Sequence, residues 1–202
     1  MEVVIDPDSG FCFGVNRAIQ TAENELKAGK PVYCLGEMVH NQVQMDQLKS
    51  KGLRIITHAD LYNLKGETVL IRAHGEQPET FRLAKELGIS LINATCPIVS
   101  KLQEKIYNSY SSETSANVQI VIYGKPGHAE VSGLNGNAGN NAIIVSSVDD
   151  FSQLDFSRPV RLFSQTTMDI EGYIQVGEAL KQQMEQAGNS DLLIHKSVCR
   201  QV

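Results

Sequence analysis

Apolar residues along this chain fall into two alternating patterns. Short runs rich in β-branched residues occur at 2–5, 32–35, 54–57, 68–73, 90–94, 118–123, 142–146, 160–164 and 192–196. Each is continuous rather than alternating, the pattern of a strand covered on both faces. Between them lie stretches of helical period. Residues 14–27 place Val15, Ala18, Ile19, Ala22 and Leu26 on one stripe. Residues 97–110 open with Pro97 at a first helical position and carry Val99, Leu102 and Ile106. Residues 170–186 carry Ile174, Val176, Ala179, Leu180 and Met184. This alternation predicts an α/β fold with mostly parallel sheet. Residues 133–141, rich in Gly and Asn, predict a turn or mobile loop.

A repeat overlies this pattern. Three places share an apolar run, a short polar turn and a cysteine: VVIDPDSGFC ending at Cys12, LINATC at Cys96 and LLIHKSVC at Cys199. Cys12 is followed by His40 and His74, and Cys96 by His128 and Thr167, each after a strand-like run. The plan predicts two similar lobes, 1–95 and 96–191, with 192–202 as the start of a truncated third whose remainder is absent. No Gly/Ser-rich linker divides them.

Composition narrows the class. With 42% hydrophobic and 20% charged residues in 202, the chain has the makings of a packed core rather than disorder. No apolar run reaches the length of a membrane span. The first residues carry acids where a secretory signal would need a basic region, so a cytoplasmic protein is expected. A net charge of -5 argues against a broad nucleic-acid surface. In a reducing compartment the four cysteines are core residues, metal ligands or nucleophiles rather than disulfides.

Cys12, Cys96 and Cys199 form no CxxC pair, which disfavours a zinc ribbon. Three thiolates converging from separate lobes suit an iron–sulfur cluster with one iron left open; a small buried side chain is the alternative for any one of them. Cys34, inside VYCLG, reads as core. His40, His74 and His128 each follow a strand, where α/β folds gather ligand groups, and together suit a polyanion pocket. His58 and His195 lack that placement and read as structural or surface residues. Glu130 suits proton transfer or, alternatively, the first turn of a helix. In SQTT, one of Thr166 and Thr167 could cap the next helix while the other holds a substrate hydroxyl.

The segments GFCFGVNRAI, VHN, AHG, ATCP, GHAEV, SQTT and VCRQV, in this order and spread over essentially the whole chain, resemble the 4-hydroxy-3-methylbut-2-enyl diphosphate reductase family. These are oxidoreductases of isoprene biosynthesis by the non-mevalonate pathway. The resemblance implies three α/β lobes around a 4Fe-4S cluster, with Cys12, Cys96 and Cys199 as ligands. It implies that His40, His74 and His128 face the substrate diphosphate, that Glu130 feeds protons, and that Thr167 orients the substrate hydroxyl and helps organise the proton path, which makes Glu130 and Thr167 the catalytic pair. It also implies an isoprenoid diphosphate as substrate and a ferredoxin- or flavodoxin-type electron donor. The departure is length: the family's third lobe, which supplies serine and asparagine groups to the diphosphate site, has no counterpart here. Two competing readings are a non-catalytic α/β module that binds phosphometabolites, which leaves the cysteine repeat unexplained, and an enzyme with a structural zinc.

Overall fold

The computed structural model describes residues 3–4, 9–29, 31–112 and 117–199. In it the alternation resolves into two four-stranded parallel sheets of one plan. The first holds β1 (Val32–Leu35), β2 (Leu53–Ile56), β3 (Thr68–Ile71) and β4 (Ser90–Asn93) in the order β2-β1-β3-β4. The second holds β5 (Gln119–Tyr123), β6 (Ile143–Val145), β7 (Val160–Ser164) and β8 (Leu192–Ile194) in the order β6-β5-β7-β8. Register is continuous across each sheet; Cys34 lies opposite Ile55 on one side and Leu70 on the other. In both sheets the chain winds one way to its second strand and the other way to its third. The switch points therefore fall at β1/β3 and β5/β7, and open α/β sheets bind ligands outside the carboxyl ends of strands at such points.

Among the described residues, six α-helices cover the sheets: α1 (Phe13–Lys27), α2 (Gln42–Ser50), α3 (Pro78–Glu86), α4 (Pro97–Ser111), α5 (Ala129–Asn137) and α6 (Ile170–Gln186). The 3-10 helices His58–Asn63 and Val148–Gln153 add to them. Alternate side chains of one strand feed two cores, as the period of a strand requires. Val32 and Cys34 pack with Ala18, Ala22, Met45 and Leu48 of α1 and α2. Leu35 packs on the opposite face with Leu61 and Ala84. The second sheet repeats the device. Ile120 and Ile122 meet Leu102, Ile106 and Leu134 of α4 and α5, while Val121 and Leu162 meet Tyr173, Val176 and Leu180 of α6.

Two expectations are corrected. Of the glycine- and asparagine-rich stretch 133–141, expected as a turn or mobile loop, residues 133–137 are helical as the end of α5, and the turn is confined to 138–140. Its glycines serve close packing: a Cβ at Gly133 would lie 2.9 Å from the Gln103 amide, and one at Gly136 would collide with Gln77. Small residues let α5 approach α3 and α4, and that need outweighs their poor helix propensity of about 1 kcal/mol each. The run at 2–5 also gives no strand where it is described. Val3 and Val4 are irregular and exposed, with no ladder partner among the described residues; Glu2 and Ile5 lie outside the described residues. Residues 192–194 form the edge strand β8 of the second sheet.

Candidate active site at the carboxyl ends of the strands

Cys12 and Cys96 occupy the N-cap positions of α1 and α4, and neither side chain caps its helix. Asn93 fixes the turn ahead of Cys96 by accepting from the Thr95 amide at 3.0 Å, and the Cys96 amide donates to Ala73 O at 3.0 Å. Arg17 of α1 donates to Thr95 O at 3.0 Å and ties α1 to that turn. Gly14, two residues after Cys12, abuts the Cys96 thiol so closely that a Cβ there would lie 2.6 Å from Sγ. The start of α1 and Cys96 thus share one location. Cys199 follows β8, and its amide donates to Thr166 O at 2.8 Å. All three thiols are free and partly buried. A soft donor set of three thiols, two of them at helix N-termini, fits an iron–sulfur cluster by chemistry. Cys34 is fully buried in β1, and burial pushes its thiol up to about 12, as suits a core residue.

His40 follows β1, His74 follows β3, and His128 follows β5 as the N-cap of α5. Two come from the first sheet and one from the second, and the fold brings them together. Ring centroids are 5.8 Å (His40–His74), 6.1 Å (His40–His128) and 5.4 Å (His74–His128) apart, with one ring nitrogen of each within 4.8 Å of the others. His128 Nδ1 accepts from the Glu130 amide at 3.2 Å, so its other nitrogen carries the proton in the neutral ring. A cavity of about 430 Å³ opens beside the cluster, lined by His40, His58, Arg72, Glu76, Gly127 and His128 among others. His74 is pushed down to about 4, first by burial, then by Arg72, His128 and His40. His128 is lowered as well, first by burial, then by His40, Arg72 and Lys125.

Glu130, in the first turn of α5, is 1% exposed. It accepts from Thr166 N at 2.7 Å and from Thr166 Oγ1 at 2.9 Å. Burial raises its pKa, and the two bonds from Thr166 oppose the rise without cancelling it. Thr167 is exposed and accepts from Gln165 Nε2 at 2.8 Å. Neither threonine caps α6; Asp169 does, accepting from Gly172 N at 2.6 Å. His195 stacks on Phe163 at 4.2 Å between centroids. His58 bonds to the buried Glu76 at 3.0 Å and lines the cavity, a position sequence reasoning missed along with Arg72 and Glu76. No motif marks those three, although Arg72 sits two residues from His74.

The depressed His74 pKa has a stability consequence of definite sign. The unfolded chain takes up a proton near pH 6.5, the folded chain only near 4. The unfolded state therefore binds more protons in between, and stability is full above pH 6.5 and lost as pH falls. The loss by pH 4.5 is about 2–3 kcal/mol. His58, raised by its bond to Glu76, works oppositely, contributing below pH 6.5 and losing its effect as pH rises. Urea unfolding at pH 6.5 and 4.5 is expected to show a smaller acid loss in a His74→Asn variant; equal losses would contradict the assignment.

Residues 3–202 match the family model described as LytB protein. A 4-hydroxy-3-methylbut-2-enyl diphosphate reductase of Parabacteroides distasonis is 46% identical over 202 residues, which is 100% of this chain and 69% of the relative. The protein of that name from Porphyromonas gingivalis is 45% identical over 201 residues, 99% of this chain and 69% of its own. Among solved structures, the E-1-hydroxy-2-methyl-but-2-enyl-4-diphosphate reductase of Plasmodium falciparum superposes with a TM-score of 0.82 at 28% identity, covering 95% of this chain and 58% of that one. A second, (E)-4-hydroxy-3-methyl-but-2-enyl diphosphate reductase, gives 0.81 at 28% identity, covering 98% of this chain and 68% of that one. No helix among the described residues is long and apolar enough to cross a membrane. With two parallel lobes of matching topology and a family match over nearly its whole length, the chain belongs to the LytB family of oxidoreductases.

Proposed function

We propose that this chain carries the diphosphate-binding and proton-delivering part of a reductase that converts (E)-4-hydroxy-3-methylbut-2-enyl diphosphate to isopentenyl and dimethylallyl diphosphate. The observation that carries the reading is the convergence of His40, His74 and His128 from two sheets beside the buried Glu130. Imidazole N–H groups and the α5 N-terminus are suited to phosphoryl oxygens, because charge-assisted bonds to phosphate are strong. Anchoring the diphosphate positions the allylic hydroxyl for reaction.

Removing that hydroxyl needs two electrons and two protons per substrate and yields one water. Cys12, Cys96 and Cys199 would hold a 4Fe-4S cluster, which when bound supplies electrons and a Lewis-acidic iron. A ferredoxin- or flavodoxin-type donor would replenish them. The chain's own part is proton handling and exclusion of water. Glu130, whose carboxyl burial holds above the usual carboxylate range, is the donor. Thr166 holds its carboxyl in place and links it to Cys199 through the backbone. Thr167, exposed one residue on, would orient the substrate hydroxyl. Residues 1–95 and 96–191 would act as two lobes closing on the substrate, with 192–202 leading into a third.

Inorganic pyrophosphate titrated into the chain by calorimetry tests the anchoring role. Binding is expected, weakened about tenfold or more in His74→Asn, roughly the worth of one charge-assisted bond. A chain that takes up no pyrophosphate would overturn the reading.

A further inference from the structure

We propose that Arg72 is an additional binding residue of this pocket, its guanidinium recognising the second phosphoryl group of the diphosphate that the three histidines anchor. The inference rests on the diphosphate reading above and adds a residue and a selectivity to it. Arg72 follows β3 directly, and its side chain is 16% exposed. It lines the same cavity as His40 and His128. Its guanidinium lies against Gly36, where a Cβ would come within 2.5 Å of Nη1 and 2.7 Å of Cζ. Gly36 also has φ +74, a conformation that favours glycine, so backbone and space both reserve the spot for the arginine.

The guanidinium is under-used where it sits. Nη1 donates to Glu37 O at 3.1 Å. Nε is buried without a hydrogen-bond partner. Nη2 makes only a long ion pair with Glu76 Oε1, at 3.9 Å, beyond hydrogen-bond length. The other carboxylate oxygen of Glu76, Oε2, is engaged elsewhere: it bonds His58 Nε2 at 3.0 Å and accepts from Thr80 Oγ1 at 3.3 Å. A desolvated guanidinium with unmade bonds costs free energy unless a ligand completes it. Its planar fork matches two phosphate oxygens, a geometry a lysine lacks. Three clustered imidazoles suit one phosphoryl group, and the arginine lining the same cavity suits the next.

The test compares inorganic pyrophosphate with orthophosphate on the full chain by calorimetry. Arg72→Gln is expected to weaken pyrophosphate about tenfold or more and orthophosphate by less than about threefold, so that selectivity for two phosphoryl groups collapses. Arg72→Lys, which keeps the charge and loses the fork, is expected to recover only part of it. Equal losses for both anions would show that Arg72 merely braces the Glu37 segment ahead of His40, and would overturn the proposal. Unchanged binding in Arg72→Gln, with His74→Asn still defective, would overturn it while sparing the diphosphate reading. A parent chain that binds neither anion would overturn both. Should Arg72→Gln fail to fold by circular dichroism, the lysine variant decides, and parental selectivity there would contradict the fork argument.

Discussion

Glu130→Gln is expected to lower turnover of the reconstituted protein by at least about a hundredfold, the usual scale for a lost general acid. Pyrophosphate affinity should stay within about twofold. The two effects separate because the substitution keeps shape. A glutamine oxygen can still accept from Thr166 N, and the Thr166 hydroxyl can turn to accept from the new amide. What disappears is an acidic proton in a buried position, and no neighbouring carboxyl replaces it within that hydrogen-bonded group. Steady-state turnover with a one-electron reductant, set beside the pyrophosphate titration, checks both halves. Near-parental turnover would remove Glu130 from proton delivery.

Cys96→Ser is expected to abolish cluster loading. Iron and acid-labile sulfide after anaerobic reconstitution should fall to background, together with visible absorption. A hydroxyl does not ionise to a ligand as a thiol does. Unfolding is not the cause expected, because serine is a favoured N-cap and Cys96 leaves α4 without a side-chain cap. Thermal stability of the cluster-free chain should hold or rise slightly. Cys34→Ala is the matched control: that thiol lies in the core, so loading should persist with some loss of stability. Full iron and sulfide in the serine variant would defeat the ligand assignment.

Much of the fold was readable from periodicity. The helix expected at 170–186 is found at Ile170–Gln186, because an apolar stripe and the Asp169 cap agree on its limits. The strand at 160–164 has the expected bounds, and those at 68–73 and 192–196 stop two residues short at each carboxyl end. There the backbone leaves the ladder to present His74 and Cys199. Periodicity failed where local composition and tertiary need diverge. Helix α5 looks like a loop because its glycines answer to Gln77 and Gln103, which are remote in sequence. Helix α2 was missed because it is short and mostly polar, with only Met45 and Leu48 buried.

For the candidate site, the chain itself determined which chemical groups stand past the ends of strands: thiols at Cys96 and Cys199, imidazoles at His40, His74 and His128. Strand-then-turn spacing is local, so it is written in neighbouring residues. Tertiary structure alone decided which of those groups meet and in what charge state. It selected Thr166 over Thr167 as the partner of Glu130, and it set Arg72 and the His58–Glu76 pair on the wall of the histidine cavity. It buried Glu130 and His74 enough to move their protons in opposite senses, one retained and one repelled. Those outcomes depend on desolvation and on charges a few ångströms away through space, and neither distance nor dielectric is a property of adjacent positions in a chain.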